Sequence, residues 1–304
     1  MNSTSERQDA QHLRMTTAPV PGLILSLSVP SIITCIITSV YNMADTFFVA
    51  QLGTVAVAAV GVVFSISSVL SALGFWMGTG GSSLVSLYLG AREKEKAHCA
   101  ASTGFFLALG LGGVIAAGGL LALQPLMRLL GSTDTILPEA EAYAVPILLA
   151  APFQCSSLAL AQCLRAEGKS KESMAGQLAG GLLNIVLDPL FIYTLGMGIR
   201  GAGAATALSQ VMVWAALLWF YVRGKTSVRI SVRQVARTPQ MVKLIFTTGF
   251  PSLCRHCGNA LATIVLNRAA GGFGDAAIAA FSIASRVSGL ALSVSIGFVQ
   301  GLQP

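Results

Sequence analysis

Charged residues are scarce in this chain. Asp, Glu, Lys and Arg make up 10% of its 304 residues, against about 25% in an ordinary globular protein, while 54% are hydrophobic. This composition excludes a soluble domain, because too few polar side chains are present to cover its surface. The apolar runs are long enough to span a bilayer and recur too often for a signal peptide or a single anchor. The sequence therefore predicts an all-α polytopic membrane protein.

The remaining charges predict how the chain crosses the bilayer. Eight spans are expected, over residues 22–50, 54–88, 96–124, 139–164, 172–197, 201–223, 240–268 and 275–302. Most Lys and Arg residues outside the spans lie on one side, and the other side receives only Arg128, Arg200 and Arg268. Because basic loops stay in the cytoplasm, the N-terminus is expected to be cytoplasmic. The short basic loops also explain the net charge of +7 without nucleic-acid binding.

The longest basic connection predicts a division into two lobes. The expected parts are a cytoplasmic tail, a six-helix N-terminal lobe, a basic cytoplasmic linker and two helices of a C-terminal lobe, over residues 1–21, 22–224, 225–239 and 240–304. A second lobe of equal size would need about four more spans, so we expect the chain to be C-terminally truncated.

An internal repeat supports this division. Pro30-Ser31 recurs as Pro251-Ser252, and residues 53–59 resemble residues 274–280, both at an offset of 221 residues. Six spans separate the two copies. Because that number is even, the copies have the same orientation, which predicts a parallel repeat about an axis along the membrane normal.

Two acidic residues interrupt the apolar runs. Asp45 is the only charged residue in the first two expected spans, and Asp188 lies alone in the apolar part of the fifth. An ionised Asp in the middle of a membrane helix costs about 2.5–3.5 kcal/mol, which makes such a residue a functional candidate. Each Asp lies eight residues before the glycine that marks the end of its span, Gly53 or Gly196. Both carboxylates are then about 12 Å from the same membrane surface, where they can share one cavity.

Further oxygen atoms are expected beside the two carboxylates. Asn184 shares a helix face with Asp188, and Thr206 reaches a similar depth on the returning span. Pro189 has no N–H group and leaves the carbonyl of Ile185 free. Two close carboxylates in a low dielectric disfavour double ionisation, which predicts that a proton or a Na+ ion is held there and that no other metal or cofactor is needed. The alternative is that each Asp bonds a neighbouring amide for packing.

One proline and three aromatic residues complete the candidate set. Pro30 can kink the first span and give it two packings, although a membrane proline with no moving role is an equally good interpretation. Tyr143, Tyr41 and Phe153 are candidates to line a substrate cavity, and the alternative for such aromatic residues is contact with lipid or with the protein core.

Four motifs carry a family resemblance. They are YNMADTFFVAQLG at the end of the first span, LRAEGKS at 164–170, NIVLDPLFIYTLGMGIRGAGAAT at 184–206 and GFPS at 249–252. Together they resemble the multidrug and toxic compound extrusion family, MATE, and especially its bacterial DinF-like branch. The resemblance implies a two-lobe bundle of twelve spans in the inner membrane of a bacterium that exports cationic or amphipathic drugs in exchange for inward H+ or Na+. We expect it to be a monomer.

The resemblance also implies roles for individual residues. Asp45, Asn184, Asp188 and Thr206 match the cation or proton site of the family's N-terminal lobe. Tyr143 matches an adjacent polar contact of that site. Pro30 matches the proline at which the first span bends.

Two other functions remain open at this point. A lipid-linked oligosaccharide flippase of related build would line its cavity with arginines for pyrophosphate, and Arg255 and Arg286 are compatible with that function. An intramembrane aspartyl protease is suggested by Gly272-Phe273-Gly274-Asp275. The expected external turn at Asp275 argues against a protease, so we expect no enzymatic activity.

Overall fold

The structure is a computed structural model that describes residues 19–224, 226–236, 238–271, 288–289 and 291–301. Those residues form α1 (Val20–Ala50), α2 (Thr54–Gly90), α3 (Lys94–Leu121), α4 (Leu123–Leu129), α5 (Leu137–Ala166), α6 (Ser170–Pro189), α7 (Ile199–Val222), α8 (Pro239–Gly271) and α9 (Ala291–Gly301). A π-helical turn, Leu190–Thr194, continues α6, and a 3-10 turn, Val232–Gln234, follows α7. The described part of the chain contains no strand, which confirms the predicted all-α fold.

Some expectations concern residues outside the described ranges. They include residues 1–18 of the expected tail, the repeat copy at 274–280, the segment 272–275 and Arg286. The expected division into tail, lobes and linker therefore stays a prediction.

Six of the helices are long and apolar enough to cross a membrane, namely α1, α2, α3, α5, α6 with its π turn, and α7. The third expected span, 96–124, is interrupted in the structure. α3 ends at Leu121, and the separate short helix α4 begins at Leu123. The break has a local cause, because Pro125 cannot donate a backbone hydrogen bond to Leu121.

Helix α5 lies at the centre of the first group of helices, which consists of α1 to α7. In its most apolar window 61% of the residues are buried, against 28–39% in the other five spans. Glycines on its neighbours allow this close approach, since a Cβ atom at Gly112 of α3 would lie 2.7 Å from the Ala151 carbonyl oxygen. Gly203 of α7 likewise lies against the backbone of Tyr143. This packing places Tyr143 between α5 and α7.

The end of the bundle at which α5 ends and α6 begins is called here the basic face. A buried ion pair on this face binds the segment that follows α7. The Lys169 Nζ lies 2.9 Å from the Glu167 Oε2, and the side chains are 9% and 0% exposed. The backbone N–H of Ser227 donates to the same carboxylate, and the Lys169 ammonium donates to the Ser227 Oγ at 3.3 Å. The linker segment, residues 226–236, therefore begins fastened to the first lobe.

Helix α3 holds the rest of the linker segment. The Ser231 backbone N–H donates to the Ser102 Oγ at 3.1 Å, and the Ala236 N–H donates to the Thr103 Oγ1 at 2.9 Å. Because these bonds occur along its whole length, the linker segment packs as part of the first group of helices.

The second group of helices consists of α8 and α9. It contacts the first group where α8 packs against α2. A Cβ atom at Gly80 would overlap the Ile245 carbonyl oxygen, and one at Gly249 would overlap the Trp76 carbonyl oxygen. The Trp76 indole N–H donates to the Phe246 carbonyl at 2.9 Å. The two backbones thus touch through glycines in the half of the bundle nearer the basic face.

Helices α1 and α9 meet in a similar way. The Ser28 Oγ donates to the Phe298 carbonyl at 3.3 Å, and the Ser39 and Ser293 hydroxyls are 3.1 Å apart. The α1–α9 and α2–α8 contacts enclose a cavity between the two groups of helices.

Candidate cation and substrate site

Asp45 lies on α1 and faces the centre of the first lobe. The Tyr143 hydroxyl donates to its Oδ2 at 3.3 Å, and the Tyr143 side chain is buried. The depth of Tyr143 in the core follows from the close approach of α5 to Gly203 of α7. The structure therefore joins Asp45 to the aromatic residue that the sequence placed beside it.

Asp188 and Asn184 lie one helical turn apart on α6. The Asn184 Nδ2 donates to the Asp188 Oδ1 at 3.2 Å, and both side chains are buried. A spacing of four residues on an α-helix produces this contact directly.

Tyr143 connects the two acidic residues. Its hydroxyl donates to Asp45 and interacts electrostatically with both carboxylates, and Thr206 lies one helical turn beyond Gly203, which packs on the Tyr143 backbone. The Asp45 and Asp188 charges also interact with each other. Residues from α1, α5, α6 and α7 thus meet in one pocket.

Several oxygen atoms in this pocket are buried and receive no hydrogen bond from any described residue. They are one carboxylate oxygen of Asp45 (Oδ1), one of Asp188 (Oδ2) and the Asn184 amide oxygen. Buried polar atoms are nearly always satisfied, so three unsatisfied acceptors in one pocket indicate a missing donor or cation. Oxygen ligands of this kind suit a Na+ ion, and a protonated carboxylate would supply a donor equally well.

The backbone widens immediately after this site. Pro189 ends α6, and the following π turn is closed by a bond of 2.9 Å from the Leu195 N–H to the Leu190 carbonyl. π-helical turns are rare and are often found at functional sites. A Cβ atom at Gly201 of α7 would lie 2.7 Å from the Phe191 carbonyl oxygen, so the wide turn packs directly on the start of α7.

The cavity between the helix groups has a volume of about 550 Å³. Tyr41, Asn184 and Thr206 line it, whereas Asp45, Asp188 and Tyr143 do not. Asn184 and Thr206 therefore separate the acidic pocket from the cavity and contact both.

The other two candidates lie elsewhere. Phe153 packs edge to face on Trp214, with ring centroids 5.1 Å apart, and does not line the cavity. Pro30 is buried inside an uninterrupted α1, where the Thr34 hydroxyl donates to its carbonyl at 2.8 Å. The proposed bending at Pro30 stays a prediction.

One cavity residue was missed by sequence reasoning. Arg165 lines the cavity and is only 2% exposed, although its position near a span end had placed it among the loop cations. A local signal was present, since Gln162 precedes it by three residues and accepts a hydrogen bond from the Arg165 Nε at 2.9 Å. A polar partner one turn back indicates an Arg that points inward.

These features define a helical membrane protein with a buried acidic pocket next to an interlobe cavity. Residues 30–190 match the model of the MatE family. The match covers more than half of the chain, so the chain belongs to the MatE family.

Individual relatives agree with this assignment. The multidrug export protein MepA of Staphylococcus saprophyticus is 28% identical over 282 residues, which are 92% of this chain and 62% of that protein. The structure of a MATE transporter in complex with MaL6 has a TM-score of 0.88 and 33% identity, covering 92% of this chain and 62% of that one. An outward-facing multidrug resistance MATE family transporter has a TM-score of 0.86 and 33% identity, with the same coverage. The chain thus spans less than two thirds of these relatives.

Proposed function

We propose that the protein acts in secondary active efflux, exporting cationic or amphipathic compounds in exchange for H+ or Na+. The observation that carries this proposal is the acidic pocket of Asp45 and Asp188. Its unsatisfied oxygens need a cation or a proton, and neither carboxylate forms a salt bridge within the described residues. The multidrug export function of the MepA relatives supports the choice of substrate class.

Competition for the acidic pocket couples the two movements. Tyr143 and Asn184 each hold one carboxylate oxygen and leave the other available. A coupling ion bound there removes the negative charge that attracts a cationic substrate, so the two occupants exclude each other. Thr206 and Asn184 line the cavity and the pocket, and occupancy of one space can therefore affect the other.

Alternating access would expose this region to each side of the membrane in turn. The proposed elements are rocking of the two lobes, with residues 22–224 moving against residues 240–304, and bending of α1 at Pro30. The basic loops favour a cytoplasmic N-terminus in a bacterial inner membrane. We further propose that the transporter works as a monomer and needs no cofactor besides the coupling ion.

The flippase alternative has some support. Arg255 lines the cavity, as a pyrophosphate-binding residue would, while Arg286 lies outside the described residues. The unsatisfied acidic pocket favours the antiporter, because acidic side chains repel pyrophosphate. Asp275, the residue on which a protease depends, also lies outside the described residues, so no contact supports that function.

A binding measurement tests the proposed exchange. The purified 304-residue chain is titrated with tetramethylrhodamine methyl ester, a fluorescent cation, at several pH values and sodium concentrations, and its polarisation is recorded. Affinity should fall as pH is lowered or as sodium is raised, whichever ion couples. The dependence should disappear in Asp45→Asn and Asp188→Asn.

A matched control comes from the same helix. Glu172 lies in the first turn of α6, twelve residues before Asn184, and Glu172→Gln should keep the ion dependence of the native chain. Binding of the cation that ignores both pH and sodium in the native chain would overturn the competition mechanism.

A further inference from the structure

The cavity between the helix groups has a positive lining. Three basic side chains line it, Arg165 from α5 and Arg255 and His256 from α8, and no Asp or Glu of the described residues does so. The acidic pocket lies behind Asn184 and Thr206 and not on the cavity wall. The cavity and the pocket therefore differ in the sign of their charge.

Arg165 is buried without a counter-charge. Its Nε donates to the Gln162 Oε1 at 2.9 Å and its Nη1 donates to the Ser173 Oγ at 3.2 Å, and both acceptors are neutral. None of the salt bridges among the described residues includes it. An unpaired charge in a low-dielectric site is costly, and buried intramembrane cations commonly mark a ligand site.

A polar chain relates Arg165 to the basic residues of α8. The Gln162 Nε2 donates to the Thr79 Oγ1 at 3.4 Å, and the Thr79 hydroxyl donates to the Ser252 Oγ at 3.5 Å. Gln162 and Ser252 each lie one helical turn from a basic residue, Arg165 or Arg255. The two guanidinium groups thus face neighbouring parts of one cavity.

An aromatic surface lies beside these cations. The His256 imidazole stacks on the Phe75 ring with centroids 4.9 Å apart and an interplanar angle of 17°. The His256 Nε2 is buried and has no hydrogen-bond partner in the described structure. Leu158, Leu292 and Ile296 add apolar surface to the same cavity. An apolar wall with cationic groups suits an amphipathic ligand that carries an anion.

We propose that this cavity binds the carboxylate or phosphate group of an amphipathic ligand, with Arg165 as its main contact, Arg255 contributing positive potential and the stacked His256 and Phe75 rings providing an aromatic surface. The inference rests on the proposed function only for the amphipathic character of the ligand. Arg165 and Tyr143 are 22 residues apart on α5, or about 33 Å, so the anion site and the acidic pocket are separate. A small ligand does not touch both.

A matched pair of probes tests the anion site. Tetramethylrhodamine carries a free carboxylate, and its methyl ester has the same ring system without that anion. Arg165→Gln should lower the affinity of the purified 304-residue chain for the acid about tenfold or more, because the variant loses a hydrogen bond between charged groups. Affinity for the ester should change less than twofold in Arg165→Gln.

Further variants distinguish loss of the anion site from a folding defect. Arg165→Lys keeps the charge and should retain part of the preference for the acid. Arg255 is exposed on the cavity wall, so Arg255→Gln should fold normally and lower affinity for the acid about threefold through lost positive potential. An unchanged ratio of acid to ester affinity in both Gln variants overturns the proposal.

Two competitors identify the source of the anion. Displacement of the acid probe by dihexanoyl phosphatidic acid, but not by octanoate, supports a lipid headgroup, and the reverse supports a carboxylate substrate. Asp45→Asn separates this inference from the proposed exchange, since it should abolish the ion dependence of ester binding and leave acid binding at the anion site intact. Loss of acid binding in Asp45→Asn would overturn the separation of the two sites.

Discussion

Two groups of buried or half-buried carboxylates in this protein have opposite surroundings. Glu167, at the basic face, contacts the Lys169 ammonium and the backbone N–H of Ser227. Asp45 and Asp188, in the acidic pocket, each receive one hydrogen bond from a neutral side chain and have no salt-bridge partner among the described residues. Burial alone therefore does not distinguish a structural acid from a functional one.

Glu167 differs from Asp45 and Asp188 in the groups that neutralise its negative charge. Burial raises the pKa of Glu167, while the Lys169 charge and the hydrogen bonds from Ser227 and Val228 lower it in part. All of these partners belong to the protein and hold the linker segment in place. In the acidic pocket the protein supplies no cation among its described residues, which leaves that role to a ligand.

The largest effect is expected in the acidic pocket. Asp45→Asn or Asp188→Asn should remove all dependence of cation-probe binding on pH and sodium, because a neutral amide of nearly equal volume cannot exchange a charge. Thermal stability of each variant should stay equal to or above that of the native chain, since a buried uncompensated charge is removed. A calorimetric scan beside the binding titration checks both, and a retained ion dependence would refute the site.

The opposite result is expected for Glu167. Glu167→Ala leaves the buried Lys169 ammonium without its counter-charge and should lower the free energy of unfolding by about 3–5 kcal/mol, while binding of the cation probe is unchanged. Glu93 offers a matched control, because its bond of 2.9 Å to Lys96 lies on the surface, with side chains 45% and 58% exposed. Glu93→Ala should cost about 1 kcal/mol or less. Equal losses in the two variants would contradict the structural role.

A pH series on Glu167 refines the comparison. Because its pKa is raised in the folded state, the folded chain binds more protons than the unfolded chain between the ordinary pKa and the raised one. Stability contributed by this residue therefore increases as pH falls through that window. The difference in melting temperature between the native chain and Glu167→Gln should rise by a few degrees on acidification, measured by differential scanning fluorimetry. A difference that shrinks on acidification would show that the salt bridge outweighs burial.

The smallest effect is expected at Tyr143. Its bond of 3.3 Å to Asp45 is long, so Tyr143→Phe should change cation-probe affinity by only a few-fold, equivalent to about 1 kcal/mol. Tyr193 is a suitable control, because its hydroxyl donates to the Phe48 carbonyl at 2.7 Å near the same end of the bundle. Tyr193→Phe should leave the affinity unaltered. Loss of the dependence on pH and sodium, as expected for Asp45→Asn, would make Tyr143 part of the ion site itself.

The sequence predicted the helical fold and a common depth for Asp45 and Asp188. Both follow from regular geometry, since a fixed rise per residue converts a position in a span into a depth. The position of Arg165 could not be obtained in this way, because a residue at the end of a span can point either outward or into the bundle. Phe153 was equally ambiguous, since its orientation depends on the packing of α5 against Trp214.

The attachment of the linker segment also escaped prediction. It depends on contacts between residues far apart in the chain, such as Thr103 with Ala236, which no local pattern reveals. The break after α3 had a visible cause in Pro125, but a proline alone does not distinguish a kink from the start of a new helix.

In the proposed rocking of the lobes, the glycine contact between α2 and α8 would be the point about which α8 turns. Gly249 meets the Trp76 backbone near the basic face, and α8 continues from there for 22 residues to Gly271, a lever arm of about 33 Å. Rotation of α8 by about 10° around this contact would displace its far end by about 6 Å, while the two backbones at the contact would hardly move relative to each other. A side chain at Gly80 or Gly249 would force the backbones of α2 and α8 apart, and α8 could then no longer turn about this contact.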